Sequence, residues 1–202
     1  MIAIIDYGAG NIKSLQFALD KLGKTSKLTM DPEEINQADS IILPGVGAFK
    51  DAMEALQRYQ LDTILKDEAA NGKPILGICL GMQLFYEYSE ENGGCHGLGL
   101  LSGSAKRISD KVKVPHMGWN ILQQADQARA LLNNLGDEPY VYFVHSYAVD
   151  GLEENTLVAS ADYGGRVPAI VQNKNITGMQ FHPEKSGDVG IALLKNYEES
   201  IS

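Results

Sequence analysis

Cysteine is nearly absent. Only Cys79 and Cys95 occur in 202 residues, too few for a disulfide framework. They form no CxxC pair, so a cysteine-built zinc site is excluded as well, and neither a metal nor a cofactor is expected. Long apolar runs are missing too: nothing approaches the ~18 consecutive residues of a membrane span. The amino-terminal Met-Ile-Ala-Ile-Ile-Asp has neither a basic flank nor a cleavage signal, and the expected location is the cytoplasm. Basic residues are outnumbered, 17 Lys and Arg against 26 Asp and Glu, and the formal charge of −9 argues against a nucleic-acid partner. Repeats and low-complexity tracts are lacking. What remains is an ordinary globular composition, 44% hydrophobic and 21% charged, with a length that suits one domain spanning residues 1–202.

Apolar runs and helical periodicity alternate in the first half. Residues 2–6 read as a strand that runs into the turn Asp6-Tyr7-Gly8-Ala9-Gly10-Asn11. Ile12, Leu15, Leu19 and Leu22 then share one helical face, stopped by Gly23. Residues 40–43 predict a second strand, broken by Pro44-Gly45-Val46-Gly47, with helices over 48–59 and 61–70 behind it. Residues 74–78 predict a third strand, and a helix over 80–88 is entered directly from Cys79. Wholly apolar strands alternating with helices imply a parallel sheet covered on both faces. The second half predicts strands at 112–114, 140–149, 156–161, 169–172 and 176–181, then a helix at 189–199. The whole reads as α/β with a mixed sheet.

Two motifs carry chemistry. Gly77-Ile78-Cys79-Leu80-Gly81 falls at a strand-to-helix junction and has the form of the Gly-x-Ser-x-Gly nucleophile elbow with cysteine in place of serine. Such a turn needs glycines where a Cβ would strike neighbouring backbone. Free N–H groups at the helix start favour a thiolate there, and the Leu80 N–H is placed to bind an oxyanion. A small buried cysteine between packing glycines explains the same pattern equally well. The second motif is Gln180-Phe181-His182-Pro183-Glu184, where His182 is a candidate base and Glu184 can bond its other ring nitrogen. Zinc deaminases share a His-x-Glu but require a Pro-Cys-x-x-Cys that this chain lacks. Both motifs and Pro44-Gly45-Val46-Gly47 fall at carboxyl ends of predicted strands, where doubly wound sheets collect their sites.

Cys-Leu-Gly-Met-Gln-Leu at 79–84 together with His182-Pro183-Glu184 resembles the class I, or triad, glutamine amidotransferases. The segments Asp6 to Asn11, Pro44 to Phe49, Pro115-His116-Met117-Gly118-Trp119-Asn120 and Phe181 to Ser186 are similar, within that family, to the glutaminase subunits of imidazole glycerol phosphate synthases. The resemblance covers essentially the whole chain. It implies a flavodoxin-like three-layer fold, glutamine as substrate, and a triad of Cys79 as nucleophile, His182 as acid and base, and Glu184 as orienting carboxylate. It further implies an oxyanion hole from Leu80 and Val46–Gly47, and glutamine contacts from Gln83, Glu91, His145, Ser146 and Tyr147. The implied partner is a (β/α)8-barrel cyclase subunit in a heterodimer, met by Asn11, Trp119, Tyr142 and Lys185. That cyclase would use the ammonia to form imidazole glycerol phosphate and aminoimidazole carboxamide ribotide in histidine biosynthesis. Rival readings are a glutaminase serving a pyridoxal phosphate or aminodeoxychorismate synthase, and a non-catalytic scaffold with Cys79 as redox sensor.

Overall fold

The computed structural model describes residues 1–8, 10–125 and 130–201, so Ala9 of the first glycine turn lies outside the described residues. Along the first half run β1 (Ile2–Ile5), α1 (Ile12–Lys21), β2 (Ser26–Thr29), α2 (Pro32–Gln37) and β3 (Ser40–Leu43). Next come α3 (Phe49–Arg58), α4 (Leu61–Ala70), β4 (Ile75–Ile78) and α5 (Leu80–Leu84). The second half holds β5 (Tyr86–Ser89), β6 (Cys95–His96), β7 (Leu101–Arg107), β8 (His116–Ile121), β9 (Gln123–Gln124) and β10 (Tyr140–His145). It closes with β11 (Tyr147–Asp150), β12 (Leu157–Asp162), β13 (Arg166–Asn173), β14 (Ile176–Met179) and α6 (Gly187–Ser200). Among the described residues no helix is long and apolar enough to cross a membrane.

The central sheet has the order β2-β1-β3-β4-β14-β13-β12-β9. From β2 to β14 the neighbours are parallel, and from β14 to β9 they are antiparallel. Strand alternation divides its side chains between two cores. Ala3, Ile5, Ile41, Leu43 and Ile75 join α2, α3, α4 and α5 on one face. Ile2, Ile4, Ile42, Leu76 and Ile78 join α1 and α6 on the other. Both sets must be apolar, which is why these strands show no polar alternation in sequence. Local signals close the helices. Gly23 follows α1 at φ +70, and the Asp31 carboxylate accepts the Glu33 N–H at 2.9 Å ahead of Pro32 in α2.

Three expectations are corrected. The helix over 80–88 stops at Leu84, and 86–89 become β5 in a second sheet of order β11-β7-β5-β6. The carbonyls that would continue the helix are taken by the returning chain: Leu98 N–H donates to Leu84 O at 2.8 Å and Leu100 N–H to Phe85 O at 2.7 Å. The strand at 112–114 does not form. Val112 closes a turn on Ser109 O, and its side chain packs on Gly164. The run 140–149 breaks at Ser146, since β10 pairs with β8 in a two-stranded ribbon while β11 pairs with β7.

At the base of that ribbon His145 faces His116 in register. His145 Nδ1 lies 2.9 Å from Tyr147 O, and a carbonyl only accepts, so Nδ1 carries the proton. His145 Nε2 is then the acceptor for His116 Nδ1–H at 3.0 Å, and His116 Nε2 accepts from Asn120 Nδ2 at 3.4 Å. The His116 ring is stacked between Phe143 and Tyr163, with centroids 4.6 and 3.9 Å away. Burial pushes the His116 pKa down to about 4. It does the same to His145, also to about 4, against the Tyr147 carbonyl and with help from His116 and His182. In the unfolded chain both rings return to about 6.5. Between that value and about 4 the unfolded chain binds protons that the folded one does not. The contribution of these two rings to stability is therefore full above the unfolded value and falls as pH drops through this window. Both rings are expected to titrate near pH 4 by NMR, with a urea midpoint lower at pH 5 than at pH 7. A ring titrating near 6.5 in the folded chain contradicts the pairing.

Candidate active site

Cys79 occupies the single residue between β4 and α5 at φ +56, ψ −112. A non-glycine residue held at such a φ costs on the order of 1–3 kcal/mol, and the surroundings enforce it. Its N–H donates to Met179 O at 2.7 Å, tying the turn to β14. A Cβ on Gly77 would lie 2.5 Å from the Phe85 ring, and one on Gly81 only 1.8 Å from Leu43 O. Both glycines are thus required by close backbone approach. The thiol is buried at 6% exposure, with Sγ 3.8 Å from Val144 O. Both cysteines are free.

β14 lies beside β4 in parallel, Met179 opposite Ile78, so the residues leaving one strand end emerge next to Cys79. His182 is reached three residues beyond β14 and is latched by its backbone. Its N–H donates to Tyr142 O at 3.0 Å, and its carbonyl accepts from Ser186 Oγ at 2.6 Å. His182 Nδ1 lies 2.8 Å from Glu184 Oε1, with both side chains 3% exposed. A carboxylate accepts, so Nδ1 holds the proton and Nε2 is left for other partners; among the described residues it has no hydrogen bond. Burial opposes charge on this ring. Its interactions with Cys79 and Glu184 overcome that opposition, and the pKa rises to about 9. Both interactions favour the charged, imidazolium form of His182.

Cys79 and His182 open on a cavity of about 430 Å³. Val46, Gly47 and Leu80 line it beside the sulfur, and Gln83, Glu91, His145, Ser146 and Tyr147 form other parts of its wall. Glu184 stands behind His182 and borders a separate crevice with Asn11 and Val46. The glycine segment is pinned at Pro44 and Gly45. Tyr7 Oη donates to Pro44 O at 2.7 Å, and a Cβ on Gly45 would meet Gly81 N and Tyr7 Oη at 2.8 Å. Gly47, at φ +96, has open space around it, and Val46 is 44% exposed.

Two wall residues are already engaged. Gln83 Nε2 donates to Tyr147 O at 2.8 Å and to Gln180 Oε1 at 3.0 Å, which leaves its carbonyl as an acceptor. Glu91 Oε2 accepts the Phe49 N–H at 2.7 Å, capping α3 where Ala48 supplies no side-chain cap. Around the same end of the sheet, Trp119 is 57% exposed with its ring edge-on to Tyr142 at 5.8 Å, Lys185 is exposed and Asn11 half-buried. The sequence reading assigned no role to Tyr7 or Gln180, and the position of Gln180 two residues before His182 was the one available signal.

The class I glutamine amidotransferase profile matches residues 3–197. The chain is 71% identical to the imidazole glycerol phosphate synthase subunit HisH of Oceanobacillus iheyensis, over 100% of both sequences. It is 50% identical to the same-named subunit of Bacillus subtilis, over 98% of this chain and 95% of that one. A crystal structure of a glutamine amidotransferase superposes with a TM-score of 0.77 at 18% identity, covering 98% of this chain and 100% of that one, a likeness of fold. With the profile spanning almost its entire length, the chain belongs to the class I glutamine amidotransferase family.

Proposed function

We propose that this chain is the glutaminase subunit of an imidazole glycerol phosphate synthase, one cytoplasmic domain that hydrolyses glutamine and hands ammonia to a cyclase partner. The observation that carries the reading is Cys79, held at φ +56 beside the bonded His182–Glu184 pair at the mouth of one cavity. The name shared by the two HisH relatives supports the choice of synthase. The Cys79 thiolate attacks the side-chain amide carbon of glutamine, forming a C–S bond and moving the π pair onto oxygen. The Leu80 N–H and an N–H within Val46–Gly47 hold that oxyanion. Imidazolium His182 gives its proton to the amide nitrogen, the intermediate collapses, and ammonia leaves a γ-glutamyl thioester. Neutral His182 then takes a proton from water, which attacks the thioester; collapse expels the thiolate and yields glutamate. The other wall residues hold glutamine, with the Gln83 carbonyl accepting from a substrate N–H. Asn11, Trp119, Tyr142 and Lys185 meet the cyclase, so that ammonia escapes protonation in bulk water.

Substitution Cys79→Ala is expected to abolish glutamine-dependent synthesis by the complex and spare synthesis from ammonium salts, measured by product formation under each nitrogen source. Equal loss of both contradicts the assignment. An electrophilic glutamine analogue should label Cys79 and spare Cys95, whose pKa burial raises.

Within the triad, Glu184→Gln is expected to lower kcat less than His182→Ala, because it removes orientation and charge rather than the proton carrier. Steady-state kinetics of the complex decide this. An unchanged rate in Glu184→Gln reduces the triad to a dyad.

The isolated chain is expected to be a weak glutaminase. With Pro44–Gly45 packed and Val46–Gly47 exposed, an N–H turned away at rest leaves the hole one donor short, a deficit of about 10²–10³ in rate. Partner contact biases the turned state. Assays of the chain alone, with cyclase, and with cyclase plus its nucleotide should show stepwise activation. A maximal rate for the chain alone overturns the gating.

A further inference from the structure

Gln180 is wholly buried one residue past the end of β14, and nothing in the mechanism above uses it. Its surroundings fix which way its amide points. Gln83 Nε2 lies between two oxygens, Tyr147 O at 2.8 Å and Gln180 Oε1 at 3.0 Å. The Tyr147 carbonyl can only accept, so the atom of Gln83 facing it is the NH2 group, and the atom of Gln180 facing that group is its oxygen. The Gln180 NH2 is thereby turned the other way, where its nitrogen lies 3.9 Å from Cys79 Sγ, at the outer reach of a hydrogen bond to sulfur.

Val144 O lies 3.8 Å from the same sulfur. A thiol can donate its proton to that carbonyl. A thiolate cannot, and then faces an oxygen dipole that repels it. The anion needs donors, and the imidazolium form of His182 offers one at Nε2, which has no hydrogen bond among the described residues. We propose that Gln180 is a further catalytic residue, its carboxamide N–H donating to the Cys79 sulfur and stabilising the thiolate both before attack and as the leaving group in deacylation. Gln83 is its positioning residue. In the thioester the sulfur is neutral and accepts poorly, so the bond favours the two thiolate states selectively. This rests on the glutaminase reading for its catalytic meaning. The effect on the sulfur itself does not.

The titratable groups around the sulfur are His182 with Glu184 behind it, Tyr7, and His145 farther off on β10. Gln180 is itself not titratable, so Gln180→Met leaves this set of groups as it stands and Gln180→Glu adds one carboxyl to it. Gln180→Glu keeps an oxygen for Gln83 and replaces the donor with a carboxylate oxygen; Gln180→Met removes the donor without adding charge. The test is the pH dependence of Cys79 alkylation by iodoacetamide in the full chain, read by mass spectrometry of the Cys79 peptide. Hydrogen bonds to the charged form set its stability, so the half-maximal pH should rise by about one unit or more in Gln180→Glu and by less in Gln180→Met. In the complex with cyclase, kcat for glutamine should fall about tenfold with little change in KM, the signature of an interaction made in the transition state rather than in binding. A folded variant, judged by its thermal unfolding midpoint, whose alkylation profile superimposes on wild type overturns the proposal. If neither variant folds, Gln180 is structural and the proposal falls. Alkylation needs neither glutamine nor cyclase, so a wild-type chain without glutaminase activity would remove the proposed function while this readout still decides the role of Gln180.

Discussion

The approach of Gly81 to the Leu43 carbonyl, so close that a Cβ would sit 1.8 Å from the oxygen, governs the rest of the site. It brings the first turn of α5 down onto the end of β3. The turn between β4 and α5 then has one residue in which to reverse, and that residue is Cys79 at φ +56. The strain there, on the order of 1–3 kcal/mol, is sustained by packing on every side. Gly77 admits the Phe85 ring, Gly45 admits the Leu80 side chain, and the Cys79 N–H is fastened to β14. Interiors packed this densely deform in steps rather than continuously, so the Cys79 side chain is held in one orientation.

From that fixed point the electrostatics follow. Glu184 and Cys79 favour charge on the His182 ring, which burial alone would suppress. His145 in the cavity wall and His116 bonded to it show the opposite outcome, two buried rings without a carboxylate whose pKa values fall to about 4. One ring is pushed toward its charged form and two toward their neutral form, and the difference lies in what each ring touches. The paired rings pin Tyr147 O, which orients Gln83, which orients Gln180. The wall of the cavity is thus braced by a directional run of hydrogen bonds ending at the sulfur.

Rigidity is distributed unevenly around the cavity. Pro44 and Gly45 are locked by Tyr7 and the α5 turn, whereas Val46 and Gly47 meet open space. The exposed ribbon bearing Met117 and Trp119 lies close by, since Tyr142 on its second strand bonds both His182 N–H and Ser186 Oγ. A partner seated on that ribbon would press on the strand that latches the histidine. Coupling between such a partner and His182 would need no long-range pathway, only contact with the strand that bonds its backbone.

Much of this was legible in the residues. Unbroken apolar runs marked β1, β3 and β4 as buried on both faces, and Gly77 and Gly81 flanking Cys79 marked the elbow, because both signals are local in the chain. The helix expected over 80–88 was not so determined. Its periodicity persisted, but Leu98 and Leu100 captured the carbonyls it needed. Val112–Val114 had strand propensity and no partner strand to satisfy it. Ser146 split an apolar run because its two halves pair with strands in different sheets. The sequence by itself determined the chemical groups and the turns that display them. Only the tertiary structure decided that β14 inserts beside β4, which brings His182 to Cys79 and turns the Gln180 amide toward the sulfur. Strand neighbours and amide orientations are set by non-local hydrogen bonds, and those leave no periodic trace in a linear chain.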